Sequence, residues 1–269
     1  MKQDVYHTPS ELIENRVRVC LVGAGGTGSE MLDGLIKIHY ALIHLGHQGL
    51  HVTVYDNDTV SATNVARQRF YPGDEGQSKS MLLVQRINLF YGLDWDARHA
   101  LFFPEDSNSY SQYNLLVTCV DLAAVRGAIG QYSKQSYLSP MLWLDTGNGK
   151  SDGQYVLGDL GRRAMGAIRL PNVTDLYPEL LDAAVTDALD NDDEPSCSVP
   201  EALSKQDLFV NKTIATAACQ LIYGLLRYGK ISYHGGFVNL SEGMCSPLKV
   251  NEKVWASMGY INEEGKDAA

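Results

Sequence analysis

A cluster of glycines near the amino terminus constrains the fold of this chain more than any other feature. Gly23-Ala-Gly25-Gly26-Thr-Gly28 has the spacing G-x-G-x-x-G and follows an apolar run at residues 18–22. After Gly28, apolar residues recur every three or four positions, which predicts a helix with one buried face. A strand, a glycine turn and a helix in this order let the backbone pass close to phosphate groups at a helix amino terminus. The pattern predicts a nucleotide site without naming the nucleotide.

The alternation of strands and helices predicts the architecture. Further strands are expected at 51–55, 115–120 and 141–144, with helices at 79–90 and from about 122. Such alternation is typical of a parallel sheet with right-handed crossovers. Later segments suggest short strands at 154–157, 167–170, 231–233, 237–240 and 248–250, and helices at 178–189 and 211–227. We expect an α/β fold with a Rossmann-like, doubly wound, mostly parallel sheet and an antiparallel C-terminal extension.

Length and charge limit the class of protein. The chain has 269 residues, of which 45% are hydrophobic, so it can bury a core without disulfides. We expect one domain over 1–269, with a nucleotide-binding half at about 16–147 and a partner-binding, crossover half at about 148–260. The net charge of −10 makes a nucleic-acid partner unlikely. Because no apolar run suits a membrane span or a signal peptide, we expect no membrane partner and a cytoplasmic location.

Polar residues follow two of the predicted strands. Asp56 ends the second strand, where a carboxylate can accept ribose hydroxyl groups. Asn64, Arg67 and Lys79 come next, and the two cations can neutralise charge that develops on a leaving pyrophosphate. Asp121 follows the 115–120 strand, where a carboxylate can hold Mg²⁺ against phosphates. An NAD-dependent oxidoreductase also needs an acid near Asp56 and is an alternative, although a dinucleotide has less use for two cations.

Together these motifs resemble the E1-like activating superfamily, the ThiF/MoeB/HesA fold. The resemblance rests on G-x-G-G-x-G, D-x-D-x-V from Asp56, N-x-x-R-Q from Asn64, D-x-G-x-x-K ending at Lys79, and the strand-end Asp121. It covers about 16–147 well and the rest more loosely. More narrowly, the compact length and three segments resemble the ThiF-family protein of the PRTRC system. These segments are His39-Tyr-Ala-Leu, Arg86-Ile-Asn88 and Gly92-Leu-Asp-Trp95.

The resemblance implies an activity and a set of site residues. It implies that ATP and Mg²⁺ are used to adenylate the C-terminal glycine of a ubiquitin-like carrier protein, within a homodimer and with a possible E2-like acceptor. Carried over by motif, the four glycines line the phosphate loop, Asp56 binds the ribose, and Asp121 orients Mg²⁺. The remaining nucleotide contacts would be Asp58, Asn64, Arg67, Gln68 and Lys79. Arg67, Lys79 and Asp121 would be catalytic.

The cysteines raise a separate question, because many relatives transfer the acyl group to a thiol. Cys20, Cys119 and Cys219 lie in apolar runs and are expected to be core residues, and Cys245 is expected in a loop. Cys197 lies in a polar segment before a predicted helix and is the candidate for a thioester. The paired Cys-x-x-Cys zinc motifs common in relatives are missing, so no structural zinc is expected.

Two further departures and three alternatives stay open. Only Arg16 and Arg18 precede the glycine loop, and both belong to the first predicted strand, so an arginine that reaches a second subunit is in doubt. The helix after Gly28 is also unusually long. Besides the oxidoreductase, the alternatives are adenylation of a small or tRNA-linked carboxylate and a non-catalytic module that binds a partner.

Overall fold

The computed structural model describes residues 4–65, 67–104, 112–135, 141–161, 168–191 and 205–261. The strands are β1 (Tyr6–His7), β2 (Val17–Val22), β3 (Leu50–Tyr55), β4 (Asp96–Arg98), β5 (Leu115–Thr118), β6 (Met141–Asn148), β7 (Asp152–Leu160), β8 (Lys230–Ile231), β9 (Tyr233–Asn239) and β10 (Met244–Lys249). Eight of them form one sheet in the order β10-β9-β7-β6-β5-β2-β3-β4, and β1 pairs with β8. The molecule is therefore organised around one large central sheet.

The sheet is parallel in its first half and antiparallel in its second. Strands β4, β3, β2, β5 and β6 are parallel to one another, whereas the pairs β6–β7, β7–β9 and β9–β10 are antiparallel. This confirms the expected mostly parallel sheet with an antiparallel extension. The chain proceeds from β2 towards β4 in one direction and from β5 towards β6 in the other. In open α/β sheets, ligands bind where the strand order reverses, which here is the crevice after β2 and β5.

Helices flank this sheet. They are α1 (Ser10–Glu14), α2 (Gly26–His44), α3 (Lys79–Tyr91), α4 (Ala123–Gln135), α5 (Val173–Leu176), α6 (Ala183–Asn191), α7 (Val210–Tyr228) and α8 (Glu252–Ser257). Helix α3 is capped at both ends. At its start, the Ser78 hydroxyl accepts a hydrogen bond from the Met81 amide, and at its end, Gly92 adopts a left-handed conformation with a φ of 63°. No helix in the described part of the chain is long and apolar enough to cross a membrane.

The long helices α2 and α7 pack closely and run in the same direction. A Cβ atom on Gly26 would lie 2.5 Å from the Asn211 amide, and one on Gly34 would lie 2.2 Å from the Cys219 sulfur. Gly26 and Gly34 lie eight residues apart in α2, and Asn211 and Cys219 lie eight residues apart in α7, so the two helices are parallel and their amino termini lie together. Both termini therefore point to the carboxyl edge of β2, and their dipoles make that edge electropositive.

Some predicted elements differ from those observed. The expected helix at 178–189 is a 3₁₀ turn (Pro178–Leu181) followed by α6, because Asp182 is extended and its carboxylate accepts a hydrogen bond from the Ala184 amide. Residues 168–170 form no strand, and the Leu170 amide binds the Asp159 carboxylate instead. Each difference comes from a side chain that competes with the backbone for hydrogen bonds.

Candidate nucleotide and acyl-transfer site

The glycine loop joins β2 to α2 in a turn that excludes side chains at two positions. Gly23 has a φ of 94°, and a Cβ atom on it would lie 2.5 Å from the Cys119 carbonyl oxygen. A Cβ atom on Gly28 would lie 1.9 Å from the Gly23 carbonyl oxygen. By contrast, Gly25 has space around it, with only the Gln68 amide nitrogen within 4 Å, at 3.8 Å. The outer part of the loop is therefore an open backbone surface over the amino terminus of α2, suited to an anion.

Asp56 fastens this loop to the end of β3. One carboxylate oxygen accepts a hydrogen bond from the Ala24 amide at 2.6 Å, and the other accepts one from the Asp58 amide at 2.8 Å. Burial raises the pKa of the Asp56 carboxyl above its usual value, although both amide donors act in the opposite direction. Asp56 lines the cleft beside the loop, as expected for a ribose ligand, and it also has a structural task that the sequence pattern did not show.

Asp58 and Lys79 form an ion pair in the same wall. The Lys79 ammonium, on the first residue of α3, donates to the Asp58 carboxylate at 2.8 Å. The Lys79 side chain is 8% exposed, whereas that of Asp58 is 61% exposed. Asp58 therefore holds a nearly buried cation at the cleft surface, and that cation keeps two further N–H groups for an anionic ligand.

Asn64, Arg67 and Gln68 follow from a short 3₁₀ turn that starts after Ser61. The Asn64 side-chain oxygen accepts from the Ser61 amide at 2.9 Å, which fixes the turn. Arg67 Nη1 donates to the Gln206 side-chain oxygen at 3.3 Å. Arg67 Nε and Gln68 Oε1 are buried and have no hydrogen-bond partner among the residues that the structure describes. Because unpaired buried polar atoms are costly, these two atoms mark a place where a polar ligand fits.

These residues line one open cleft with a volume of about 1360 Å³. The cleft brings together ten of the predicted residues; of those that the structure describes, only Gly28 is not among the lining residues. The ten are Gly23, Gly25, Gly26, Asp56, Asp58, Asn64, Arg67, Gln68, Lys79 and Asp121. Small-molecule pockets are usually about 300–1,000 Å³. The cleft is therefore large enough for a nucleotide and part of a second reactant.

Asp121 lies on the turn between β5 and α4. Its side chain is exposed in the cleft, and its carboxylate has no hydrogen-bond or ion-pair partner among the residues that the structure describes. A free carboxylate is a hard oxygen ligand and fits Mg²⁺, which commonly uses one or two protein carboxylates together with substrate phosphates. In the described ranges, no group of three or more His, Cys, Asp or Glu side chains is arranged to hold a metal ion. A metal here would therefore be shared between Asp121 and the bound phosphates.

The structure adds cleft residues that the sequence analysis missed. Asn211, at the start of α7, accepts hydrogen bonds from the Thr27 hydroxyl at 2.9 Å and from the Asn148 amide at 2.7 Å. Its own amide donates to the Gln206 oxygen at 2.7 Å, the same oxygen that binds Arg67. This network ties α2, the end of β6 and Arg67 into one wall. The sequence predicted a helix at 211–227, and its polar first residue, Asn211, was the only signal that this helix contributes to the cleft.

A second missed pair, Arg126 and Asp145, supports the turn that carries Asp121. Arg126 Nε lies 3.0 Å from both carboxylate oxygens of Asp145, which is 1% exposed. Asp145 stands just after the predicted strand at 141–144, in the same kind of position as Asp56 and Asp121. That placement at a strand end was the available signal.

A model of the ThiF family matches residues 10–243. The chain belongs to the ThiF family. The match includes the glycine loop, every predicted charged residue of the cleft, and Asn211. Membership therefore confirms the superfamily that the motifs predicted.

Solved structures show the same fold. The chain is similar to E. coli MccB determined with ATP, at 13% identity and a TM-score of 0.56, over 90% of this chain and 65% of that one. Microcin C7 biosynthetic enzyme MccB in complex with N-formylated MccA is 14% identical with a TM-score of 0.56, over 90% and 66%. PaaA is 11% identical with a TM-score of 0.57, over 89% and 65%. This ThiF-family chain thus spans about 65% of the length of these solved chains.

The cysteines of this ThiF-family chain differ in environment. Cys20 and Cys219 are buried, which raises the pKa of both thiols. Desolvation in the cleft wall raises the pKa of Cys119 to about 12. Cys245 is exposed on β10 and not in a loop, so its expected placement was wrong, because the segment pairs with β9. Cys197 lies outside the described residues.

Proposed function

We propose that this chain activates a carboxylate by ATP-dependent adenylation, and that the carboxylate is the C-terminal glycine of a ubiquitin-like protein. The observation that carries the proposal is the cleft itself. It is lined by an open glycine loop, the buried Lys79 ammonium, and two groups without a partner in the described part of the chain, Arg67 Nε and the Asp121 carboxylate. Membership in the ThiF family supports the same activity.

The charge of each cleft residue determines its role in this reaction. The loop amides and the amino terminus of α2 bind the phosphates, and Asp56 accepts the ribose hydroxyl groups. Arg67 and Lys79 disperse negative charge on the leaving pyrophosphate. Asp121 holds Mg²⁺, which when bound neutralises phosphate charge and orients the triphosphate. Asn64 and Gln68 add polar contacts from the same wall.

The reaction needs positioning more than it needs a side-chain nucleophile. A carboxylate oxygen of the substrate attacks the α-phosphorus, so an acyl C–O–P linkage forms and the bond to the β-phosphate bridging oxygen breaks. The electron pair leaves with pyrophosphate. Two anions must approach each other, and cations held in fixed positions lower the repulsion between them. The cleft supplies such cations, and no proton transfer by the protein is required.

The size of the cleft supports a second reactant larger than a metabolite. Beyond the nucleotide end, it continues past Lys150 to Phe237, Met244 and Ser246 on the antiparallel strands. E. coli MccB has been solved with ATP and with MccA. A ubiquitin-like carrier, an E2-like acceptor, a homodimer and the PRTRC subtype are predictions that follow from the resemblance. Adenylation of a small or tRNA-linked carboxylate would use the same nucleotide end.

An oxidoreductase is less consistent with the cleft. Hydride transfer usually needs an acid–base residue beside the reacting atom. A histidine or a tyrosine could take this role; the described residues that line the cleft include Tyr55 and Tyr177 but no histidine, and a dinucleotide has less use for the two cations Arg67 and Lys79. Titration calorimetry with a non-hydrolysable ATP analogue and with NADH distinguishes the two functions. We expect the ATP analogue to bind and NADH to bind far more weakly; the opposite order would favour the oxidoreductase.

Pyrophosphate exchange tests the reaction. Radiolabelled pyrophosphate should enter ATP when a glycine-terminated ubiquitin-fold protein is added, and the exchange should stop when its C-terminal glycine is removed. Asp121→Ala should abolish the exchange, whereas Glu242→Ala, an exposed change outside the cleft lining, should not alter it. Wild-type exchange in Asp121→Ala would remove Asp121 from the proposed mechanism.

Thioester transfer at Cys197 is a separate step of the proposal. The Cys197 thiolate would attack the acyl carbonyl of the adenylate, forming a C–S bond and releasing AMP. The raised pKa values of Cys20, Cys119 and Cys219 make those thiols poor nucleophiles. Mass spectrometry after incubation with ATP and the carrier should show an adduct on Cys197 that thiol reductant removes. An unchanged yield of reductant-sensitive adduct on the protein in Cys197→Ala would exclude Cys197.

A further inference from the structure

The strongest feature outside the proposed set of site residues is the buried Arg126 guanidinium. Arg126 lies in the first turns of α4, and its side chain is 11% exposed. Its Nε group donates to both oxygens of Asp145 at 3.0 Å, and the Thr118 hydroxyl donates to Asp145 at 2.5 Å. Three adjoining elements (β5, α4 and β6) thus meet at one carboxylate beneath the cleft floor.

The other nitrogens of Arg126 bind the turn that carries Asp121. Nη2 donates to the Val120 carbonyl at 2.6 Å and to the Thr146 carbonyl at 3.0 Å. Nη1 lies 3.5 Å from the Asp121 carbonyl and 3.4 Å from the Leu122 carbonyl. One guanidinium therefore contacts three consecutive carbonyls of the turn. This turn lies beyond the end of β5, so the strand ladder does not hold it.

A buried ion pair such as Arg126–Asp145 does not by itself stabilise a fold, so its presence calls for a physical explanation. Removing two charges from water costs several kcal/mol, and only good geometry and further hydrogen bonds offset that cost. Apolar residues of similar volume would usually fill the same space without the cost. An apolar side chain, however, could not donate to backbone carbonyls. What Arg126 adds over an apolar residue is a fixed backbone conformation on both sides of Asp121.

We propose that Arg126, anchored by Asp145, is a positioning residue that holds the Asp121 carboxylate where it can bind the phosphate-associated Mg²⁺. This inference rests on the proposed function, since it concerns the metal that accompanies the nucleotide. A single exposed carboxylate gains metal affinity when its backbone is held in place before the metal arrives. Although Arg126 also lines the cleft, in this role it touches neither the nucleotide nor the metal and acts only through Asp121.

The test measures how strongly Mg²⁺ improves nucleotide binding. The magnesium factor is defined as the Kd of a non-hydrolysable ATP analogue in EDTA divided by its Kd with Mg²⁺, both from calorimetry at 10 °C. Arg126→Lys keeps the positive charge but loses the planar guanidinium that contacts several carbonyls at once, and Asp145→Asn loses the negative charge that anchors Arg126. Each should lower the magnesium factor about tenfold or more, the usual effect of losing a residue that orients a metal ligand. The Kd in EDTA should stay within about twofold.

Arg86→Lys is the matched control. Arg86 forms a similar ion pair with Asp74 at 2.5 Å, and neither residue lines the cleft. Its magnesium factor should stay within about twofold of the wild-type value. Thr118→Val is a milder variant, because it removes only the hydroxyl group that donates to Asp145, and should lower the factor about threefold. It keeps the inference testable if the two stronger variants do not fold.

The outcomes separate the inference from the proposed function. If the wild-type chain binds no ATP analogue, the proposed function fails and this inference fails with it. If the wild type binds but the folded variants keep the wild-type magnesium factor, only the inference is wrong. An equal loss in EDTA and in Mg²⁺, or an equal loss in Arg86→Lys, would show that the pair merely stabilises the fold.

Discussion

Alanine substitutions in the glycine loop can separate folding from nucleotide binding, because the loop glycines differ in the space around them. A methyl group on Gly28 would lie 1.9 Å from the Gly23 carbonyl oxygen, and both atoms belong to the rigid junction of β2 and α2. Ordinary contacts between carbon and oxygen are about 3.3–3.6 Å, so the backbone would have to open by well over 1 Å, roughly 1.4 Å. Gly28→Ala is therefore a change to the fold itself.

The magnitude follows from the cost of overpacking. Inserting a methyl group into a tightly packed site typically costs about 1–3 kcal/mol, and this clash is against backbone, so we expect about 3 kcal/mol or more. In a chain of this size, 1 kcal/mol shifts Tm by about 2–4 °C. Gly28→Ala should thus unfold about 6–12 °C below the wild type, or fail to accumulate in folded form.

Gly25→Ala should behave in the opposite way. Only the Gln68 amide nitrogen lies within 4 Å of a methyl group added to Gly25, at 3.8 Å, so no backbone clash arises. Gly25 caps α2 with a φ of −78° and a ψ of −143°, and this ψ lies outside the regions that alanine prefers, so we expect a loss of about 1–2 kcal/mol, less than for Gly28→Ala. The methyl group faces the cleft, however, and would stand between the loop and a phosphate. Affinity for the ATP analogue should fall at least about tenfold, or about 1.4 kcal/mol.

Thermal unfolding followed by circular dichroism, together with calorimetry at 10 °C, measures both effects. A Gly28→Ala variant as stable as the wild type would refute the steric argument for the turn. A folded Gly25→Ala variant with wild-type nucleotide affinity would show that phosphates do not pass over this part of the loop. The second result would also weaken the proposed function.

Three further predictions concern stability and reactivity. Asp58→Asn weakens the partner of the nearly buried Lys79 ammonium, so urea unfolding should show a loss of about 1–3 kcal/mol; no change would mean that water solvates this cation well. Burial raises the pKa of Asp159 to about 7, so the folded state binds more protons than the unfolded state between about pH 4 and 7, and this residue makes stability fall as pH rises through that window. Burial lowers the pKa of His234 to about 4, so between about pH 4 and 6.5 the unfolded state binds more protons and this residue makes stability rise with pH. The contribution is at most about 4 kcal/mol for Asp159 and at most about 3 kcal/mol for His234, and the two largely offset one another. As pH rises, Asp159→Asn should therefore gain stability relative to the wild type, and His234→Gln should lose it. Curves parallel to the wild type in urea titrations would contradict both assignments. Among the four described cysteines, an alkylating reagent at neutral pH should modify the exposed Cys245 first, as peptide mapping can check; earlier labelling of a buried cysteine would contradict the structure.

Much of the fold followed from local patterns. The apolar runs at 18–22, 51–55 and 115–120 correspond to β2, β3 and β5, because strands buried on both faces need continuous apolar residues. The helix at 79–90 corresponds to α3, with Ser78 and Gly92 as its end signals. The strand order required one further rule, the right-handed crossover, which leaves few topologies for alternating strands and helices.

The candidate site was predictable where strand ends carry polar side chains. Asp56 and Asp121 line the cleft because the carboxyl ends of parallel strands meet at one edge, and Lys79 reaches the same cleft from the first residue of α3. The Asp58–Lys79 pair and the hydrogen bonds to Asp56 were not predictable, since they depend on distances between atoms and not on the order of residues. Cys245 illustrates the same limit, because only pairing with β9 makes its segment a strand.

The amino-acid sequence alone determined the glycine turn, the parallel strands and the set of charges at their ends, because sterics, hydrophobic periodicity and helix dipoles act over a few residues. The tertiary structure alone decided which distant side chains complete the cleft. Asn211 contacts Thr27 across 184 positions, and Arg126 reaches Asp145 on a neighbouring strand. Such contacts follow from how α7 and α4 pack against the sheet, and no local pattern encodes that packing.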